Sequence, residues 1–594
     1  MRSETFERRD SIMHKAGVAV VTGALLISMT PLPALAEGSS SSSGSSTATS
    51  QPTGEPPSGG GSAPGDAGGS MPVGGAGGAG GANTMTYDYT GTLSGTLTAD
   101  GDSQEASDQT ITATDVDVNA ALAENGGALA LSGVTLEKSG DDTNGDNCNF
   151  YGVNSILLAT GDDSTAKVSN SKLNATSEGS NAIFATDGAT VYANGDTITT
   201  SAGNSRGLDA TYDGTIIANE MGISTQGDHS ASIATDRGGG NISVTNSTLS
   251  TAGSGSPLLY STGDIEVSGV TGTATGSQIA GMEGLNTVLI NNSTLSSTIT
   301  EKTASDPIAN AVIIYQSTSG DAESTTGEAA TFQAVGSKLS SAIQSGSFFY
   351  VTNTTANILL QGTTLDYDSS AANLIQVEGN DSNNWGTAGS NGGTATLTLA
   401  GENVTGNVSV DTISSLALYL TGNSTWTGAA SITENANGST SDSPITVNVD
   451  DGSTWVVTAD STVLALNVAS GGSVVDESGK TVTIVANGQT VVQGDSSLTV
   501  TVTGSYSTTY DGSGASTVSP DRIDRSAFDA EYGTSTTFAM GDSTSVSASD
   551  VAQASTAPSS SAEATASTND ATSASTGNVF LDIWNAIVDF FTGR

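Results

Sequence analysis

The chain has 594 residues, of which 13% are charged and 5% aromatic, with 74 glycines; an average globular chain is about one quarter charged. Its net charge of −46 is spread rather than blocked, and 15 Lys and Arg in all are too few for phosphate recognition, which excludes nucleic acid as a partner and leaves cations, basic surfaces and neutral sugars. The single cysteine, Cys148, excludes a disulfide framework and is expected to be an inert thiol, with intermolecular pairing as the alternative.

Residues 1–36 read as a secretory signal. Arg2, Arg8, Arg9 and Lys15 give a basic start, Ala16 to Met29 an apolar run, and Ala34-Leu-Ala36 a small-x-small cleavage site. Residues 37–84 are Ser-rich, then Gly-rich with prolines, a disordered linker with almost nothing apolar to bury. The pattern changes at Met85. Tyr87, Tyr89, Leu93 and Leu97 open a region of alternating strands that extends to 505, in which atypical first copies would shield the end of a stack.

From Asn154 to about Leu295 the sequence repeats itself. Ala-Thr or Ser-Thr pairs place threonine at Thr160, Thr186, Thr211, Thr235 and Thr262, a beat of about 25 residues, and asparagines follow at Asn170, Asn194, Asn219, Asn246 and Asn292. Within one period, runs of about four to six residues rich in Val, Ile and Thr are separated by Gly, Asp, Asn and Ser, with no helical spacing. About 25 residues hold three short strands and three turns, one coil of a stack in which each strand pairs with its equivalent in the next coil. The expected fold is all-β: a single-stranded right-handed parallel β-helix of some sixteen coils. The recurring asparagines would either ladder their amides or simply form turns. The inward register stays open, since Ala182/Phe184 and Ile183/Ala185 both alternate correctly.

Thr300–Thr331 is a longer excursion around the strand Ala311-Val-Ile-Ile-Tyr, and Asn380 to Gly393 is a polar loop carrying Trp385. Asn423-Ser-Thr-Trp and Gly452-Ser-Thr-Trp echo each other about one coil apart. Residues 506–545, with Tyr506, Tyr510, Phe528, Tyr532 and Phe538, are expected to cap the last coil. Residues 546–577 read as a disordered Ser/Thr/Ala stalk. In 578–594, Phe580, Ile583, Trp584, Ile587, Val588 and Phe591 share one face of a short amphipathic helix, whose partner would be another protein, a second copy or a membrane surface.

Asn204-Ser-Arg-Gly-Leu-Asp-Ala-Thr-Tyr-Asp-Gly, Tyr350-Val-Thr-Asn-Thr-Thr-Ala and Trp385-Gly-Thr-Ala-Gly-Ser-Asn-Gly-Gly resemble repeats of exported bacterial parallel β-helix proteins of the adhesin-like kind, and the Ser-Thr-Trp coils resemble autotransporter passenger domains. The resemblance covers about 85–505. It implies this fold and a secreted or cell-surface location. For activity it is silent, because adhesins, pectate lyases and polygalacturonases share the solenoid.

Polygalacturonase-like chemistry would need clustered Asp with a Gly-His-Gly and an Arg-x-Lys motif; beyond residue 36 the chain has one histidine, His229, and no Arg-x-Lys. Asp141-Asp142, Asp162-Asp163 and Asp450-Asp451 each fall in a turn signal. The distinctive cluster spans two neighbouring coils: aligning Thr211 with Thr235 sets Asp213 against Arg237 and Tyr212 against Asp236, with Arg206, Asp209 and His229 nearby. Such a group would hold a sugar by bidentate bonds and stacking, or simply ladder two coils as an ion pair. No cofactor, catalytic residue or metal site is expected, although Asp/Asn/Gly turns could collect Ca²⁺ weakly. The expected function is adhesion to a glycan or surface protein without catalysis; the alternative is a polysaccharide lyase or glycoside hydrolase, which would show a groove of convergent carboxylates.

Overall fold

The computed structural model describes residues 86–540 except 318–321, 323–328, 381, 383–384 and 439–443. The expected signal, linker, stalk and C-terminal helix lie outside the described residues. Each coil contributes a strand in turn to three sheets, and neighbouring strands within a sheet run parallel, as a parallel β-helix requires. The first sheet holds thirteen strands, from Gly95–Asp100 to Ala430–Thr433. The third holds ten, from Thr110–Ala113 to Thr364–Asp366, and a four-stranded sheet from Asn403–Thr405 to Ser473–Asp476 takes its place in later coils. The second is an open ladder beginning at Ser103–Ser107 and ending on Gln489–Val492, which turns back antiparallel against Thr483–Ala486. In it Thr165, Thr190, Thr215, Asn241, Asp264 and Thr287 stack one coil after another. The next partner, Thr331, comes much later in the chain, because the 300–331 excursion surrounds the first-sheet strand Asn310–Tyr315.

Ile183 and Ala185 point into the column, in register with Leu157 and Ala159 on one side and Leu208 and Ala210 on the other. The register was open in the sequence because the outward face is apolar too. Phe184 stacks outward with Leu122 and Leu158 beneath Leu93. The Thr beat is not uniform: Ala210 pairs with Thr235, so Asp236 rather than Thr235 follows on from Thr211.

The corner between second and third sheets explains the asparagines. One residue per coil has a positive φ: Asp108, Gly133, Asn170, Gly195, Glu220, Asn246, Gly269, Asn292, Gly336 and Gly362. This left-handed conformation costs most L-residues about 1–2 kcal/mol and is eased only for Gly, Asn and Asp. Asn194 and Asn219 instead end their strands and bond one another at 2.9 Å, and Asn246 donates to Asn219 Oδ1 at 2.9 Å. Amide ladder and turn former are thus both present.

The next residue of this corner is Ser or Thr in half of these coils, and its hydroxyl takes a backbone N–H from the neighbouring coil. Val270 N–H donates to Ser293 Oγ at 3.0 Å, Ser293 N–H to Ser337 Oγ at 3.1 Å, Ser337 N–H to Thr363 Oγ1 at 3.4 Å. Asp196 takes the same place for Ser171 N–H at 2.7 Å, and Glu402 for Thr363 N–H. Each bond supplies a partner to an N–H that burial would otherwise leave unpaired, a net stabilisation of about 1 kcal/mol.

Among the described residues, two seven-residue helices interrupt this all-strand pattern. Helix α1, Gly145–Tyr151, sits in the connection from the third sheet to the first; Asn144 Oδ1 caps it, and Gly152 ends it at φ +72°. Helix α2, Ser526–Tyr532, belongs to the C-terminal segment. Of that segment, Tyr506 packs against the core of the coils. Residues 510–540 run back along the outer face of the second sheet. Tyr510 meets Tyr419, Ser516 N–H bonds Thr398 Oγ1, Ser519 pairs with Gln333, and Arg522 and Ile523 N–H reach Glu266. Phe528 and Tyr532 close over Ile217 and Tyr192, and Lys167 bonds Glu531.

Candidate functional site

The structure brings part of the Arg206 cluster together, but inside the protein. Arg206 is 1% exposed. Its guanidinium donates to Asp209 Oδ2 at 3.0 Å, Asp236 Oδ2 at 2.9 Å and Asn149 Oδ1 of helix α1 at 2.9 Å. One guanidinium serves two buried carboxylates, and burial pushes the Asp209 carboxyl up against the pull of Arg206. Tyr212 stacks on Tyr151, centroids 5.7 Å apart, and Arg237 lies over the Phe150 ring at 3.6 Å. Asp213 is an exposed turn residue at φ +62°. His229 is buried against Gly255 and Ala304, and burial lowers its pKa, assisted by Arg206. Arg206, Tyr212 and Arg237 thus contact Asn149, Tyr151 and Phe150 of helix α1. Helix α1 gave no sequence signal beyond the Asn-Gly that starts it. Cys148 lies in the same helix, fully buried, with burial pushing its thiol well up.

Long connections lead into and out of the first sheet. Residues 298–309 border it where the chain enters the sheet, and 385–393 and 434–438 where the chain leaves it. Two cavities lie along this sheet. The smaller, of 30 Å³, is lined by Tyr260, Gln278, Asp306, Ile313, Tyr315 and Trp385. Trp385 stacks on Tyr315 at 4.3 Å, and the Tyr260 and Tyr315 hydroxyls both donate to Glu283 Oε2, at 3.0 and 3.1 Å. Burial raises the Asp306 carboxyl to about 7. The volume matches about one water molecule, so this cluster packs on itself.

The larger cavity, of 190 Å³, opens between the two outgoing loops. Its wall includes Glu378 and Asp411 from successive coils, with Glu434 and the carboxamides of Asn391, Asn435 and Asn437. Asp411 is fixed by Gly379 N–H at 3.0 Å and Asn435 Nδ2 at 2.7 Å, both on Oδ2, and by Ile413 N–H at 3.3 Å on Oδ1. Burial raises the Glu378 carboxyl, and neighbouring Asp411 raises it further. The two loops touch at Gly389: at φ +79°, a Cβ there would meet Asn437 O at 2.0 Å. Asn391, 1% exposed, donates from Nδ2 to Trp385 O at 2.8 Å, while its Oδ1 has no donor and faces Gly379 on the cavity wall. Strand ends and cross-bonded loops thus hold a fixed set of acceptors around a space of about six waters. The sequence showed Asn380–Gly393 as a loop, but not that 434–438 would lie beside it.

No protein-family model, no curated protein and no solved structure matches the chain.

Proposed function

We propose that the chain is an exported, adhesin-like β-helix that holds a glycan without turning it over, and that contact is made in the larger cavity on the outer face of the first sheet. The signal-like residues 1–36 support export. The cavity carries the reading: planar carboxylates and carboxamides on a rigid frame are the groups that pair with sugar hydroxyls. Asp411 itself is held in place, since both of its oxygens accept hydrogen bonds; the carboxylates left open on the wall are Glu378 and Glu434, so hydrolysis, which needs a free carboxylate to attack or to activate water, is the alternative the test below must separate.

A glycan array with the full chain and with Asn437→Ala tests the proposal. Retention of a defined glycan class is expected, weakened at least fivefold by the variant, with the glycan recovered intact by chromatography. A blank array, or equal retention by the variant, sinks the proposal; shortened glycan would point to the hydrolase instead.

A further inference from the structure

The chemistry of the same cavity narrows what it holds. Every charged side chain on its wall is acidic. The sequence from Leu339 to Gly479 contains 13 Asp and Glu and no Lys, Arg or His; Lys338, just before it, pairs with Asp366 at 2.8 Å, and no basic residue is among those lining the cavity. A concave wall of one sign concentrates the opposite charge. Glu378 and Asp411 follow the paired residues Val377 and Val410 of successive coils, and both line the cavity, so its wall carries like charge on neighbouring coils. Behind Gly379, the carbonyl oxygen of Asn391 is buried without a donor, and its dipole adds to the negative field. Among the described residues, no three His, Cys, Asp or Glu side chains are grouped to hold a metal ion. The exposed position of Glu434 and the lateral carboxamides suit a cation attached to a hydroxyl-bearing ring.

We infer that the cavity takes the protonated amine of an amino-sugar residue, with Glu378 and Glu434 facing the ammonium group and Asn435 and Asn437 the ring hydroxyls. This rests on the glycan reading above and specifies its ligand. It also rejects uronic acids, whose carboxylates would meet like charge.

The test is calorimetric titration of the full chain at pH 6 and low salt with a glucosamine tetramer, its N-acetylated counterpart, a galacturonate tetramer and calcium chloride. The glucosamine tetramer should bind at least tenfold tighter than the acetylated one, and the galacturonate not at all. Raising the salt should weaken the binding. Glu378→Gln should cost about tenfold. The exposed Glu434→Gln, which puts no packing at risk, should cost a few-fold with an unchanged melting curve. Equal binding of acetylated and free tetramers overturns the amine inference and leaves the glycan reading standing. Binding of no tetramer at all overturns both. Stoichiometric displacement of the tetramer by calcium, lost in Glu378→Gln, would make the cavity a metal site and overturn the inference.

Discussion

At the residue scale, the buried polar groups are the least expected feature of a chain whose Ser, Thr and Asp read as surface. Asp196 and Glu402 lie in the hydroxyl ladder, Glu266 lies under the C-terminal segment and Asp306 lies beside Trp385; burial raises each carboxyl to about 7. In the unfolded chain such groups titrate near 4. Between about pH 4 and 7 the folded state therefore keeps protons that the unfolded state has released, and stability falls as pH rises through this window. The melting temperature should be higher at pH 5 than at pH 8. Asp196→Asn, which keeps an acceptor for Ser171 N–H, should flatten the dependence and stabilise the protein at pH 8 by roughly 1–3 kcal/mol. Thermal melts across pH check this; a melting temperature that rises from pH 5 to 8 would contradict it. Sequence spacing did bring Arg206, Asp209 and Asp236 together. It could not show them buried, because what covers them is helix α1, in a connection outside the repeat.

At the scale of elements, the coil was legible because its turn chemistry is periodic. Gly, Asn and Asp recur where the left-handed corner requires them, and the short Val/Ile/Thr runs between them leave no room for helices. Exact register was less legible, since coils of unequal length shift any single residue against its neighbour; Thr235 is one place out for this reason. The Ser-Thr-Trp echo turned out to be an internal stack. Trp426 and Trp455 are fully buried, in register, with ring centroids 4.8 Å apart, and their Nε1–H groups donate to Gly406 O and Gly428 O at 2.8 and 2.9 Å. Trp426→Ala would remove the stacking and leave a cavity between Val404 and Trp455, at a cost of about 3–5 kcal/mol. Chemical denaturation should show that loss, and Trp455 fluorescence should shift. A loss below about 1 kcal/mol would mean the coils close over the gap.

At the scale of the whole molecule, the C-terminal segment joins coils far apart in sequence, and the repeat gave no hint of it. Outward positions of the second sheet mix Tyr192, Ile217, Ser243, Glu266 and Gln333 in one column, a pattern that makes sense only under a cover. Arg525 is the fastening point. It is 2% exposed, and its guanidinium donates to Ser243 O and Oγ, Ala218 O, Thr245 Oγ1 and Thr536 Oγ1, all between 2.8 and 3.0 Å. A lysine has neither the reach of a planar fork nor its five donors, so Arg525→Lys and Arg525→Ala should behave alike. Both should loosen residues 510–540 and expose Ile217 and Tyr192, while the coils keep the backbone bonds they make with one another. The expected result is faster proteolytic cleavage within 510–540, increased binding of a hydrophobic dye, and a β-sheet circular dichroism spectrum unchanged at room temperature. If both variants instead lose the sheet signal together with protease resistance, the segment and the coils fold as one cooperative unit. If cleavage is unchanged, Phe528 and the Glu266 contacts hold the segment without Arg525.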